Sequence, residues 1–476
     1  MTSDERFAAM TRLTVFAWLW AVAVVLHLLY LSNSYAAFSS LSADHVVHLL
    51  LGIAALALLV RPRSLALLAA VCALTPVTAW FEAPRLGNHW LLASLVAVVF
   101  ISAMAIGALS KTRDISGAVL RDALPAARLI FLVVYGFCAF AKFNSSFVDP
   151  TASCANFYLN EVARSVGLSQ FNSIGTSGWM QLVPWIAMAI ETGVVVLLLV
   201  RHTRVLGVIV ALVFHGIIAF DTAHAFSDFS SVIAALAILF LPDTFFLSFT
   251  PWLRKPGLHI AGLFVALVSA VLLVWQSTDS GRLSVSTLGH GRDWLWWIVW
   301  AVLTAAVIGW SVRTHMLRSD IELLPAHKTM LVLPALAFLI GCGPYLELRV
   351  GTSWNMYANL QTANGSSNSF VIPITAEFTN YQNDRVRITA TKDSGLQQYI
   401  DSGYELPFVN LRGYTSTHYD TSITYERNGM TTTVEHTRDD PTLGRELPWW
   451  ERKVIVFRAL DATEPVACQN TMLSAR

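Results

Sequence analysis

The chain has 476 residues, of which 55% are hydrophobic and only 13% are charged, and its formal net charge is +1 at pH 7. A soluble domain carries about 25% charged residues, so the composition excludes an ordinary water-soluble protein. The balanced charge leaves no basic surplus for neutralising phosphates, which argues against a nucleic-acid partner. Five scattered cysteines exclude a disulfide-rich scaffold and a zinc site with CxxC spacing.

Long apolar runs begin immediately after a polar segment at residues 1–12. The first run continues to Leu31 without a small-residue cleavage site, which predicts a first membrane span or a signal anchor. A span needs about 17–25 residues, so the shorter runs are weaker candidates, and ten to eleven spans are expected. The runs lie at 13–31, 45–60, 64–80, 89–109, 125–142, 180–200, 204–220, 226–248, 258–275, 294–312 and 328–343.

The distribution of Lys and Arg predicts the orientation of these spans. With a cytoplasmic N-terminus, fourteen basic residues fall on the inside and four on the outside, as the positive-inside rule requires. We therefore expect a multi-pass protein of the plasma membrane whose C-terminal segment is extracytoplasmic. The inside residues are Arg6, Arg12, Arg61, Arg63, Lys111, Arg113, Arg121, Arg201, Arg204, Arg254, Lys255, Arg313, Arg318 and Lys328, and the outside residues are Arg85, Arg164, Arg282 and Arg292.

The segment 344–476 is more polar than residues 1–343 and predicts a separate domain. Alternating β-branched stretches at 385–390, 422–425 and 453–458 are typical of strands, and Asn-Gly pairs near 364 and 428 are typical of turns. The fold expected is an all-α membrane bundle at 1–343 with a β-rich extracytoplasmic domain at 344–476. Cys154, Cys342 and Cys468 are all expected near the outside, where one pair can form a disulfide, but the spacing does not select the pair.

Ionisable residues at the depth of a membrane helix are costly and are therefore the first candidates for function. Lys142 ends the fifth span, His89 opens the fourth, His215 lies in the seventh, and Glu191 lies near the middle of the sixth. The predicted alternation places Lys142, His89 and His215 toward the outer leaflet. Each also has a structural interpretation, namely snorkelling for the lysine and interfacial or interhelical hydrogen bonding for the histidines.

Two other polar groups favour structural interpretations. Asp221, His224 and Asp228 lie between two spans and are interpreted as a solvated turn. His45 and His48 have a metal-compatible spacing near Asp44, but no third ligand is indicated and no metal is expected.

Several short motifs occur in the order found in a known family. Ala141-Lys-Phe-Asn-Ser-Ser-Phe-Val, Gly87-Asn-His-Trp-Leu-Leu and Phe214-His-Gly resemble segments of the vitamin K-dependent γ-glutamyl carboxylases and of the bacterial HTTM-domain proteins. The segments that begin at Pro344, Phe370 and Tyr381 continue the resemblance, which spans about residues 13–430. Asn144 stands where the carboxylases carry an acid, and the domain at 344–476 is smaller than their lumenal region.

The resemblance implies an enzyme that acts on a reduced, menaquinol-like quinone with O2 and CO2. Lys142 would be the base that deprotonates the quinol, since removal from water favours the neutral amine. His89 would hydrogen-bond the quinone oxygens, and His215 would complete the catalytic set. Asn88, Trp90, Phe143 and Asn144, which flank these residues, are the predicted cofactor-binding residues. The substrate implied is a Glu-containing peptide or a related molecule.

Two alternatives remain open. A non-catalytic membrane factor for maturation or export would bind a secreted peptide or protein client through the outer domain. A transporter would use Glu191 as a proton relay, but the sequence has no internal repeat that favours this class.

Overall fold

The helical part of the chain is formed by fifteen helices within the ranges that the computed structural model describes, which are 3–31, 42–111, 113–168, 178–224, 226–253, 257–278, 285–418 and 420–468. Their bounds are α1 Ser3–Leu31, α2 Ala43–Val60, α3 Leu65–Glu82, α4 Asn88–Leu109, α5 Ile115–Ala118, α6 Leu124–Phe140, α7 Ser145–Val148, α8 Cys154–Ser165, α9 Val183–Leu199, α10 Arg204–Ile218, α11 Phe226–Ala237, α12 Asp243–Leu253, α13 Gly257–Thr278, α14 Val285–Thr314 and α15 Val332–Cys342.

Within the described ranges, seven helical segments are long and apolar enough to cross a membrane. Four further apolar helices are shorter, and all eleven predicted apolar runs fall on these helices. The prediction of one continuous helix over 226–248 is wrong. The helix that begins at Phe226 ends before Pro242, because proline lacks the N–H group that a helix interior needs and disfavours the helical conformation of the residue before it.

Two helices carry apolar side chains on their exposed faces, at helical spacing. On α13 these are Ile260, Phe264, Leu267 and Val271, each more than half exposed, and α14 repeats the pattern at Trp294, Ile298 and Val302. Contiguous exposed apolar surface of this kind is rare on soluble monomers and typical of a lipid-facing surface. In contrast, α1 is buried at the centre, where it packs against α2, α11 and α12.

The segment 315–327 lies at one end of the bundle and contacts three arginines of the helical part, so we call it the basic segment. Arg204 donates to the carbonyls of Ser319 and Ile321, at 2.9 and 2.8 Å, and Arg128 donates to that of Glu322 at 2.6 Å. The backbone N–H of Ala326 donates to the Arg121 carbonyl. Arg121 and Arg204 are thus at the same end, as the charge pattern predicts, although the orientation of this end in a membrane stays a prediction. Arg254, Lys255 and Arg282 lie outside the described residues.

Within residues 344–418 and 420–468, the C-terminal region contains a four-stranded antiparallel sheet and three α-helices. The strands lie in the order 406–407, 385–391, 423–427 and 430–434. The region is therefore a mixed domain and not a purely β-rich one. Two of the three predicted strands are confirmed, at 385–391 and 423–427. The elements are β1 Thr362–Ala363, β2 Ser366–Ser367, β3 Arg385–Thr391, α16 Ser394–Ser402, β4 Leu406–Pro407, α17 Phe408–Thr415, β5 Ile423–Arg427, β6 Met430–Val434 and α18 Trp449–Val454.

The predicted turns are both confirmed, and one predicted strand is wrong. Asn364-Gly365 and Asn428-Gly429 connect antiparallel strands with positive φ at both residues, as two-residue hairpin turns require. The stretch 453–458 is not a strand, since it begins inside α18 and continues as irregular backbone. There the Val456 carbonyl accepts the backbone N–H groups of Val350 and Gly351 in place of a sheet partner.

The C-terminal region is attached to the bundle end opposite the basic segment. The Trp354 backbone N–H donates to Asn88 at 2.9 Å, and its indole N–H donates to the Ala337 carbonyl in α15 at 2.7 Å. Cys154, at the start of α8, forms a disulfide with Cys468. Cys342 is free. The disulfide therefore holds the C-terminal end of the described chain against the helices.

Candidate functional site

An apolar cavity of about 370 Å³ lies where α6, α8, α9, α10 and α11 meet beneath the C-terminal region. Its volume is within the range of about 300–1,000 Å³ typical of small-molecule sites. Most of its lining is aliphatic or aromatic, and Met356 and Tyr357 of the C-terminal region close one side. Its ionisable lining residues include Lys142, Glu191 and His215, so the structure brings three of the predicted residues together.

Lys142 and Glu191 form a buried ion pair at the edge of this cavity. The two charged groups lie 2.8 Å apart, and their side chains are only 7% and 12% exposed. Lys142 also donates to the Cys138 carbonyl at 3.1 Å, and its ammonium group lies 5.8 Å from the centre of the Phe147 ring. Lys142 therefore points into the protein and does not extend to the surface.

His215 faces the same cavity from α10. Its Nε2 lies 3.0 Å from the Tyr135 hydroxyl, whereas Nδ1 is buried and has no hydrogen-bond partner among the described residues. The Tyr158 hydroxyl, on α8, is likewise buried without a described partner. Unpaired polar atoms are costly in an apolar site, and a bound ligand with oxygen atoms would satisfy them.

The wall between α9 and α10 connects the cavity with the lateral surface. Ile186 and Ile217 both line the cavity, yet they are 52% and 46% exposed on the outside. The wall is therefore only one side chain thick at these two positions. The roof of the cavity contains Tyr357, whose pKa is raised to about 12 by burial, so this phenol stays neutral at ordinary pH.

A second polar cluster lies on the other face of α11. Asp228 Oδ2 lies 2.8 Å from His27 Nδ1 and 2.8 Å from His89 Nε2. The opposite nitrogen of His27, Nε2, lies 3.2 Å from both Glu82 oxygens, and His48 Nε2 lies 3.2 Å from Glu82 Oε1. We call these five residues the histidine–carboxylate cluster.

Phe229 separates the two sites. Its ring centre lies 5.0 Å from that of His215 on the cavity side and 6.1 Å from that of His89 on the cluster side. His89 was predicted to share one site with Lys142 and His215, but the structure places it in the histidine–carboxylate cluster, outside the cavity lining. The three predicted catalytic residues therefore occupy two neighbouring sites.

The predicted cofactor-binding residues lie around the cavity and not in its lining. Asn88 accepts the Trp354 N–H, and Trp90 stacks on the His27 ring with centres 3.6 Å apart. Asn144 accepts the Phe147 N–H and donates to the Ala358 carbonyl at 2.6 Å. The Phe143 carbonyl accepts the backbone N–H of Phe370. In the described structure Asn88, Phe143 and Asn144 connect the helices with the C-terminal region, whereas Trp90 packs within the bundle.

The sequence interpretation missed His27 and Glu82 and misjudged Asp228. Asp228 was interpreted as part of a solvated turn, but it is 3% exposed and joins two histidines, so that interpretation is wrong. His27 lies inside the first apolar run, and the rule that selected His215 would have selected it as well. Asp228 lies inside the apolar run 226–248, so the same rule would have selected it, but its position near the start of that run favoured a turn.

The chain was compared with known proteins in three ways. No protein-family model matches it, and neither a curated protein nor a solved structure was found that matches it. The resemblance to the carboxylases and HTTM-domain proteins, which rests on short motifs, therefore stays a prediction.

Proposed function

We propose that this chain is a multi-pass membrane protein that binds a reduced, menaquinol-like quinone in the apolar cavity and uses Lys142 to remove a hydroxyl proton from it. The observation that carries the proposal is the position of Lys142, Glu191 and His215 on one apolar cavity. Glu191 and His215 come from α9 and α10, Lys142 follows the end of α6, and the three lie far apart in the sequence. A cavity that binds only an inert lipid has no need for three ionisable side chains.

The residues fit such a ligand in polarity as well as in size. The aliphatic lining would hold the ring system, and the unpaired His215 Nδ1 is available to one ring oxygen. The Lys142 amine would accept the proton after passing its own proton to Glu191, which lies 2.8 Å away. A reduced naphthoquinone, when bound, supplies together with O2 the strong base that a carboxylase needs to take a γ-proton from a glutamate, to which CO2 then adds.

The membrane part of the proposal has support in the surfaces of the bundle. Apolar side chains are exposed on α13 and α14, the basic segment and the C-terminal region lie at opposite ends, and Cys154 is bonded to Cys468. Disulfides persist outside the reducing cytosol, which favours an extracytoplasmic C-terminal region. We propose eleven spans in the plasma membrane with a cytoplasmic N-terminus. Some of these helices are shorter than a bilayer is thick and would be accommodated by tilt or by local thinning.

The catalytic step is tested with Lys142→Met, which keeps the length of the side chain but removes the amine. Protein in lipid nanodiscs is mixed with a reduced short-chain naphthoquinone in air, and the rate of quinol oxidation is followed by absorbance. We expect a fall of about 10²-fold or more with binding retained, since a positioned base contributes about 10²–10⁴-fold. Lys111→Met, at an exposed lysine outside the cavity, is the matched control. Equal rates in Lys142→Met and the wild type would remove the catalytic role.

A second candidate function is that of a maturation or export factor without catalysis. It rests on exposed apolar side chains of the C-terminal region, since Phe370, Val371, Ile374 and Phe378 are each more than half exposed. This surface would bind an extracytoplasmic peptide client. Ile374→Ser with Phe378→Ser should abolish cross-linking to a co-expressed secreted peptide that the wild type captures, while quinol oxidation stays unchanged. If the double variant loses quinol oxidation but keeps the cross-link, the enzyme function is favoured instead.

A further inference from the structure

The histidine–carboxylate cluster contains a set of potential metal ligands that the quinol proposal does not use. One donor atom from each of His27, His89 and Asp228 can be chosen so that all three lie within 4.8 Å of one another. They come from α1, α4 and α11, so the set exists only in the folded bundle. Two imidazoles and one carboxylate are a recurrent ligand set for divalent first-row transition metals, with further positions left for water or substrate.

The surroundings of His27 have the form expected of a second coordination shell. Metal-bound histidines almost always give their other ring N–H to a carboxylate or carbonyl, which fixes the tautomer and the ring orientation. His27 meets this condition, because its Nε2 faces both oxygens of Glu82 while Nδ1 faces Asp228. The Trp90 indole, stacked on the same ring at 3.6 Å, prevents it from turning.

The charge of the cluster also calls for a cation. Glu82 and Asp228 have side chains only 4% exposed. Two carboxylates buried this deeply in an apolar bundle are unfavourable unless positive charge lies beside them. A divalent ion would supply that charge. Moreover, Asp228 Oδ1 is buried and has no hydrogen-bond partner among the described residues, so one carboxylate oxygen is available to an ion.

An ion fits the space with small movements of the side chains. Metal bonds to nitrogen and oxygen of about 2.0–2.2 Å require ligand separations of about 3–4 Å, so the present set would adjust by about 1 Å. His89 is the most exposed of the three ligands, with 16% of its side chain accessible. An ion would therefore enter the cluster from the side on which His89 lies.

We infer that His27, His89 and Asp228 bind one divalent transition-metal ion, with Glu82 as the partner that orients His27. The inference is independent of the quinol proposal, because it rests on the cluster and not on the apolar cavity. The alternative is that protonated histidines alone compensate the two carboxylates, and the two possibilities predict different metal contents.

The test uses the full chain in nanodiscs, purified with a tag that contains no histidine, stripped with a chelator and then titrated with Co²⁺. We expect one equivalent to bind with visible d–d absorption. Glu82→Gln should weaken binding about 10–100-fold, as loss of a second-shell partner does. Asp228→Asn, which removes a ligand charge and keeps the shape, should weaken it at least as much. His224→Gln is the control, since His224 pairs with Asp221 outside the cluster.

Wild-type protein that takes up less than about one tenth of an equivalent, or equal Co²⁺ affinity of Asp228→Asn and the wild type, would overturn the inference. If a variant does not fold, X-ray absorption of the Co²⁺-loaded wild type decides. Nitrogen and oxygen ligands that include imidazole support the site. Sulfur ligands would overturn it, because they would place the ion at a cysteine.

Discussion

The cavity and the histidine–carboxylate cluster lie on opposite sides of Phe229, yet they are built in different ways. In the cavity, Lys142, Glu191 and His215 stand at the edge of open apolar space. In the cluster, five side chains contact one another directly. Similar residue types therefore have different surroundings, because the packing leaves open space beside the first set and none of that size between the members of the second. Substitutions in the two sites, at the disulfide and at an exposed ion pair should affect the protein to different degrees.

Asp228→Ala should be the most damaging of these changes to stability. It leaves His27 and His89 facing each other without their shared acceptor, and removing one member of a buried charged pair costs about 3–5 kcal/mol of unfolding free energy. The midpoint of thermal unfolding in detergent, followed by tryptophan fluorescence, measures the loss. Asp420→Ala, which removes a partly exposed partner of His436, should lower the midpoint much less. Equal unfolding midpoints for Asp228→Ala and the wild type would show that the contacts of Asp228 with His27 and His89 do not stabilise the fold.

Cys154→Ser should have the next largest effect, because Cys154 lines the cavity and its disulfide with Cys468 closes a loop of 314 residues. Loss of a native disulfide costs about 2–5 kcal/mol in small secreted domains, and the stabilisation grows with the loop that the disulfide closes. We expect a lower unfolding midpoint and a changed mobility on a non-reducing gel. Cys342→Ser is the matched control at a free cysteine. The same mobility for reduced and unreduced wild-type protein would contradict the pairing.

Ala187→Trp should fill the cavity with little loss of stability. Overpacking a tight core costs about 1–3 kcal/mol, but Ala187 lines open space, so a cost below about 1 kcal/mol is expected. The same change at Ala97, which is fully buried in the bundle, should cost much more. Unfolding midpoints measure both costs, and binding of a short-chain naphthoquinone should be lost only in Ala187→Trp. Similar destabilisation at the two positions would mean that the cavity is not open.

The exposed pair His436–Asp420 should show the smallest effect. The hydrogen bond that the His436 ring N–H donates to Asp420 raises the pKa of His436 above its ordinary value of 6.5. Because the raised value belongs to the folded state, the stabilisation is complete below the unfolded pKa of about 6.5 and is lost as pH rises through the folded pKa. The midpoint difference between the wild type and His436→Gln should thus be larger near pH 5.5 than near pH 9. A larger difference at high pH would reverse the assigned sign.

Much of the helical fold could be predicted from the sequence, because helices in an apolar environment require long apolar runs and the end of each run is visible. The Asn-Gly turns were equally legible, since few residues adopt positive φ. The stretch 453–458 could not be assigned correctly. Val456 is buried there by tertiary packing in irregular backbone, and local propensity carries no record of that packing.

The candidate site was predictable only in part for the same physical reason. Lys142, Glu191 and His215 stand out as ionisable residues in apolar runs, and they do share one cavity. His89 lies on the opposite side of Phe229 from the cavity. This position depends on how α4 packs against α1 and α11, which residue spacing in the sequence does not show. Arg128, which is buried and holds the Leu239 and Glu322 carbonyls, was also missed although it lies in an apolar run.

A cryo-electron microscopy map of the protein in nanodiscs with a reduced naphthoquinone would show whether a quinol ring binds beside Lys142. The proposed quinol site predicts ring density in the cavity between α9 and α10, with one oxygen within hydrogen-bonding distance of Lys142 Nζ and the other near His215 Nδ1. A cavity filled only by acyl chains at saturating quinol, with Lys142 still paired to Glu191, would contradict it.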